Sequence, residues 1–226
     1  MSGCENPWGS CFLKGTKIQT ARGERKIEHL AIGDLLPTVF GGLRPIQWIA
    51  RYRHLGDAPV KRGARDLSPV RVARSALALE APHADLFLTQ GHALYLDGVL
   101  APVGRLINGT TITLYPADEF HELEFFHIKL EAHDVIFAEG ALCETLLNVD
   151  EHADSFSDYV RKHGMPKTDE QPCVPILSWG RERIELEPAL NGGSATRLDR
   201  RAQIDVIRDR LAKRANSRGS RLASLS

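Results

Sequence analysis

Between residues 11 and about 149, short runs rich in β-branched and aromatic side chains are separated by turn residues roughly every 8 to 12 positions. Lys17-Ile18-Gln19-Thr20 precedes a turn at Ala21-Arg22-Gly23, Asp34-Leu35-Leu36 leads into Pro37, and Ile46-Gln47-Trp48-Ile49 follows Gly41-Gly42. Further on come Leu86-Phe87-Leu88-Thr89, Ala93-Leu94-Tyr95-Leu96 ahead of Asp97-Gly98, Thr110–Leu114, Glu124–Leu130 and Val135–Ala138. Helical periodicity is weak throughout, so the pattern predicts a compact all-β domain of many short strands. A short internal echo is consistent with pseudo-two-fold symmetry. Ile27, Leu30 and Gly33 recur 76 positions later as Val103, Leu106 and Gly109, each set after a Gly-containing turn.

The rest of the chain reads differently. Residues 151–195 are polar and broken by Pro166, Pro172, Pro175, Pro188 and Gly192-Gly193, which predicts a connector with short strands near Val174–Trp179 and Arg183–Leu186. Leu198, Ile204, Ile207, Leu211 and Ala215 recur at three- and four-residue steps, the stripe of an amphipathic helix over 196–215, with Thr196 and Asp199 as a capping-type start. Residues 216–226 are Ser-, Arg- and Gly-rich and are expected to fray. From Arg197 onward nine basic side chains face three acidic ones, a net of +6. The plain reading is a helix packed on the β-domain with a solvated basic face. Nucleic-acid binding lacks the aromatic interleaving that would strengthen it.

Composition excludes several classes. With 29 basic and 29 acidic residues the 226-residue chain has no global field for steering a polyanion. Apolar residues at 42% rule out disorder throughout. No apolar run approaches the roughly 20 residues of a membrane span. Residues 1–10, MSGCENPWGS, lack the features of a signal peptide, so a cytoplasmic location is expected, although leaderless export would look the same. Cys4, Cys11, Cys143 and Cys173 show no CxxC spacing, which argues against structural zinc or a disulfide scaffold. Cys143 and Cys173 read as small apolar side chains, and Cys4 as exposed in a flexible end. Gly33-Asp34 reads as a turn with Asp34 capping local amides, and Trp48 as a buried core residue.

Chemistry concentrates in a few places. Cys11, in Gly9-Ser10-Cys11-Phe12-Leu13, is either a buried apolar residue or a nucleophile in need of a proton-handling partner. Thr89-Gln90-Gly91-His92 is either an ordinary turn with a satisfied histidine or a hydroxyl and an imidazole converging on one backbone amide. In the second reading Thr89 orients the amide and His92 delivers a proton to its nitrogen. His121, His127 and His133 are spaced by six, which on a straight strand would place all three on one face. The span of about 40 Å along such a strand disfavours a shared metal, and one or two of them facing Cys11 is the more plausible arrangement.

Four segments in order carry a resemblance. Cys11-Phe12-Leu13-Lys14-Gly15-Thr16-Lys17-Ile18, then Ile32-Gly33-Asp34, then Leu88-Thr89-Gln90-Gly91-His92-Ala93-Leu94, then His127 through Gly140 resemble the blocks of a Hint (Hedgehog/intein) domain, most closely the bacterial Hint-type domains outside true inteins. The likeness spans about residues 11–150, with residues 1–10 as an N-terminal flank. It implies a horseshoe of short strands with pseudo-two-fold symmetry, followed here by the C-terminal amphipathic helix. It also implies self-processing: Cys11 attacks the Ser10 carbonyl, an N–S acyl shift makes the Ser10–Cys11 bond a thioester, and water, a small thiol or another nucleophile resolves it. The substrate is the chain's own N-terminal flanking peptide. Thr89 and His92 would strain and protonate the scissile amide, His127 and His133 would support the chemistry, and neither a metal nor an organic cofactor is needed.

The departures from true inteins are equally informative. Those end in a His-Asn pair before Cys, Ser or Thr, whereas this chain has Leu146-Leu147-Asn148-Val149, so ligation of the flanks is not expected. Many inteins carry Asp or Cys where His127 stands. Only ten residues precede Cys11, too few for a cargo domain, so either the expected product is a ten-residue peptide, or this start is a fragment of a longer chain, or cleavage has been lost and the fold kept for another purpose. A catalytically silent Hint-fold binding or presentation module is the alternative reading, and Hedgehog-like acyl transfer to a lipid alcohol is a third.

Overall fold

The computed structural model describes residues 10–55, 68–116, 122–149, 156–166, 170–177 and 200–223. Fourteen short strands lie among them: β1 (Phe12–Leu13), β2 (Lys17–Thr20), β3 (Gly23–Lys26), β4 (Leu35–Thr38), β5 (Gly42–Pro45), β6 (Trp48–Leu55) and β7 (Val70–Val72), then β8 (Leu86–Leu88), β9 (Ala93–Leu96), β10 (Val99–Pro102), β11 (Ile112–Leu114), β12 (Glu122–Lys129), β13 (Val135–Ala138) and β14 (Ala141–Glu144). They form two sheets with antiparallel pairing. One runs β11-β7-β8-β1-β12-β6, the other β10-β9-β14-β13-β2-β3, with β4 pairing both β13 and β5.

Short strands alternate as their sequences do. In β8, Leu86 and Leu88 are buried on either side of the half-buried Phe87. Strand β12 differs, because it lies between β1 and β6 and is covered on both faces. Every residue from Leu123 to Lys129 is buried, the run expected of a central strand. Three of those residues (Glu124, His127 and Lys129) are polar, so each needs a partner inside the fold. The main core joins the sheets through Phe12, Ile18, Leu36, Leu88, Leu94 and Ile128. Trp48 is buried, and Asp34 accepts the Ala31 amide and pairs with Arg25.

The 76-residue echo has a structural counterpart. The hairpin of β2 and β3 followed by the 3-10 turn Ile27–His29 is matched, at that offset, by the hairpin of β9 and β10 followed by the 3-10 turn Val103–Leu106. Gly33 (φ 93°) and Gly109 (φ 71°) both occupy the left-handed region after those turns, where a side chain would strain the backbone.

Two helices follow. Helix α1 (Phe156–His163) lies where the sequence pattern predicted only a connector; its Tyr159 ring meets Trp48 edge-on at 5.5 Å. Of the strands expected in the connector, that near Val174–Trp179 contracts to one parallel bridge between Ile176 and Leu100, and the one at Arg183–Leu186 lies outside the described residues. Helix α2 (Arg200–Ala223) continues past Ala215, where fraying was expected to begin. Thr196 and Asp199 lie outside the described residues, as do Cys4 and His121. Ile204, Ile207, Leu211 and Ala215 are buried, the first three in the main core. Burying each large aliphatic side chain is worth about 1.5–3 kcal/mol, which explains why a helix so rich in arginine stays on the domain. Arg210 pairs with Asp97 at 2.5 Å and Arg214 donates to the Ser75 carbonyl at 3.0 Å, so the basic face is partly spent on docking. No helix among the described residues is long and apolar enough to cross a membrane.

Candidate functional site

The register of β1 builds the site. Phe12 pairs with Phe126 of β12 and with Leu88 of β8. One step back along β1 therefore sets Cys11 opposite His127 on one side and Thr89 on the other. Thr89 and Cys11 clasp each other twice: the Cys11 amide donates to Thr89 Oγ1 at 3.0 Å, and the Thr89 amide donates to the Cys11 carbonyl at 3.1 Å. A turn closed by the His92 amide on the Thr89 carbonyl (3.0 Å) then brings the His92 ring back to the same residue.

His92 is wholly buried with its ring against Phe12, centroids 4.4 Å apart. Its Nδ1 lies 3.1 Å from the Cys11 carbonyl oxygen, which only accepts, so Nδ1 carries the hydrogen. Nε2 is buried without a hydrogen-bond partner. Burial pushes the ring's pKa below the usual histidine value, opposed by the Glu144 charge and by hydrogen bonding to the Cys11 backbone. The expected contact of His92 with the Cys11 nitrogen takes a different form: the ring meets that residue's oxygen, and the amide hydrogen goes to Thr89.

His127 touches both parties to an acyl shift. Its Nε2 lies 3.1 Å from Cys11 Sγ and its Nδ1 2.9 Å from the Ser10 carbonyl oxygen. The carbonyl fixes the hydrogen on Nδ1, leaving Nε2 of the neutral ring bare toward the thiol. Tyr52 stands edge-on to the ring at 5.1 Å.

His133 does not share a strand face with His127, because β12 ends at Lys129. It is buried in the following turn, and the Cys173 amide donates to its Nδ1 at 3.1 Å. Its hydrogen therefore sits on Nε2, 3.5 Å from Glu144 Oε2. Burial pushes the Cys173 thiol up to about 11, and it raises that of the fully buried Cys143 further still.

Glu144 escaped the sequence reading. This buried carboxylate accepts the Ala93 amide at 2.7 Å and the Ser10 hydroxyl, both on Oε1. Its partners lie 51 and 134 residues away, and no local pattern marks it. Cys11, Thr89 and His127 thus meet at the Ser10–Cys11 peptide bond, His92 holds the carbonyl on the far side of Cys11, and His133 reaches the acyl side through Glu144 and Ser10. The arrangement places a base beside a thiol, a donor at the adjacent carbonyl oxygen and an acceptor on the amide hydrogen.

Solved structures similar to this chain include a triply substituted gp41-1 intein (12% identity, TM-score 0.40, covering 60% of this chain and 98% of the other). The MchDnaB-1 intein in a substituted form is also similar (14% identity, TM-score 0.40, the same coverages). No curated protein matches in sequence. A Hint domain family profile matches residues 10–150, well over half of the chain. On that match, the chain belongs to the Hint family of self-processing domains.

Proposed function

We propose that this Hint domain cuts its own Ser10–Cys11 peptide bond through a thioester. The observation that carries the reading is the pair of contacts made by His127, one nitrogen on the thiol and the other on the carbonyl oxygen of the bond. The thiol proton passes to Nε2, sulfur bonds to the Ser10 carbonyl carbon, and the charge growing on its oxygen meets the Nδ1–H. Collapse breaks the carbon–nitrogen bond. The departing nitrogen takes up the proton that left the thiol and was held on His127, while the His92 Nδ1–H, on the Cys11 carbonyl oxygen, holds the leaving residue in place. Thr89 holds the amide hydrogen and orients the leaving group. Water, a small thiol or another nucleophile then releases residues 1–10. Splicing does not follow: Asn148 is solvent-exposed between Leu147 and Val149, without a histidine before it.

Intact-mass spectrometry of the purified chain, with and without a strong thiol, tests the proposal. A loss equal to residues 1–10 is expected, abolished by Cys11→Ala and slowed about 10²- to 10⁴-fold by His127→Ala. An unchanged mass after days under both conditions sinks it and leaves a silent scaffold.

A further inference from the structure

We propose that Glu144 reads the side chain of the residue before the nucleophile and makes the site selective for serine there. The inference rests on the cleavage reading above and names its specificity determinant.

An ionised carboxylate only accepts hydrogen bonds, and one that is 4% exposed must find its donors inside the fold. Glu144 Oε1 has two, the Ala93 amide at 2.7 Å and the Ser10 hydroxyl. Oε2 faces His133 Nε2 at 3.5 Å. The donor character of that nitrogen is enforced from behind, because the Cys173 amide occupies Nδ1. The segment carrying Cys173 is itself pinned, with the Leu100 amide donating to the Pro175 carbonyl at 2.9 Å and the Leu177 amide to the Leu100 carbonyl at 2.8 Å. Glu144 is therefore a fixed acceptor presented to the residue at position 10.

Two anchors hold the acyl half of the scissile bond: His127 Nδ1 on the Ser10 carbonyl and Glu144 on the Ser10 hydroxyl. A side chain without a donor loses the second anchor and leaves a buried carboxylate oxygen underbonded. A side chain with a negative charge is repelled. A pocket built around a hydroxyl discriminates against its absence far more sharply than an apolar pocket discriminates by size. Glu144 is a positioning residue here, since it acts on the reacting carbonyl through the side chain next to it.

The test follows single-turnover cleavage of the full chain by intact mass in excess thiol. Ser10→Ala is expected to slow cleavage about tenfold to a hundredfold, Ser10→Thr to stay closer to wild type, and Ser10→Asp to be the slowest. Glu144→Gln keeps an oxygen acceptor but removes the charge, so the order of the Ser10→Asp and Ser10→Ala rates should reverse in that background. A merely structural Glu144 would slow all side chains equally and leave the order unchanged. Ser10 lies outside the hydrophobic core, so its variants should fold, and their unfolding midpoints check this. Equal rates for the wild-type, Ser10→Ala and Ser10→Asp chains overturn the inference while cleavage stands. An uncleaved wild-type chain overturns both.

Discussion

At the scale of single residues, the two histidines on Cys11 both point Nδ1 at a carbonyl oxygen and differ in what faces Nε2. His127 has both nitrogens engaged, one on an oxygen that must receive a hydrogen and one on sulfur that can give one. His92 has one nitrogen engaged and one buried without a hydrogen-bond partner, and burial outweighs the pull of the Glu144 charge and backbone toward a second proton. This has a consequence for stability. The folded pKa of His92 is lowered from about 6.5, so the unfolded chain binds the proton first as pH falls. The stability contribution is fully present above about pH 6.5 and is lost as pH falls toward the folded value. Urea unfolding should therefore show midpoints that decline from pH 7 to 5, with a shallower decline in His92→Asn, which keeps a donor for the Cys11 carbonyl. Equal slopes for the two proteins would show that His92 protonates freely when folded.

At the scale of elements, the segment 170–177 behaves as part of the domain. Glu170 Oε1 accepts the His133 amide at 2.8 Å, while Oε2 pairs with Lys129 at 2.5 Å, the lysine being only 4% exposed at its side chain. Burial pushes the Lys129 pKa down, and its bonds to Glu170 oppose that. Removing one partner strands a buried charge, whereas removing both leaves little behind. Glu170→Gln is expected to cost about 3 kcal/mol in denaturant unfolding, and adding Lys129→Met should recover most of it. A double variant as unstable as the sum of the two single ones contradicts a closed ion pair. The same elements show what the sequence could disclose. Strands β2, β4, β8, β9, β11, β12 and β13 stand out as β-branched or apolar runs. Strand β3, Gly-Glu-Arg-Lys, has no buried residue, so it carries no apolar pattern and exists because β2 pairs with it. Strand β5, Gly-Leu-Arg-Pro, is likewise without a buried residue and forms against β4. Among the site residues, Cys11, Thr89, His92, His127 and His133 were legible through local motifs. Glu144 and Glu170 were not, because a buried carboxylate is defined by donors brought from distant segments.

At the scale of the whole molecule, the question is whether helix α2 is an appendage or a piece of the core. Its composition suggests the former, its contacts the latter. Ile204 and Ile207 are at most 1% exposed and share a cluster with Val70, Leu86 and Leu106 of the β-domain. Against that burial, the polar contacts to Asp97 and Ser75 are exposed or half-exposed and contribute at most about 1 kcal/mol each. Apolar packing therefore dominates the docking, and one buried methyl-rich side chain should matter more than either arginine. Ile207→Ala is expected to lower the unfolding free energy by about 2–4 kcal/mol with an unchanged denaturant slope, while Arg210→Ala shifts it by less than about 1 kcal/mol. Helix signal and strand signal in circular dichroism should be lost together. If the helix melts at lower denaturant than the sheets, it folds as a separate unit, and Ile207→Ala should then leave the main transition where it was.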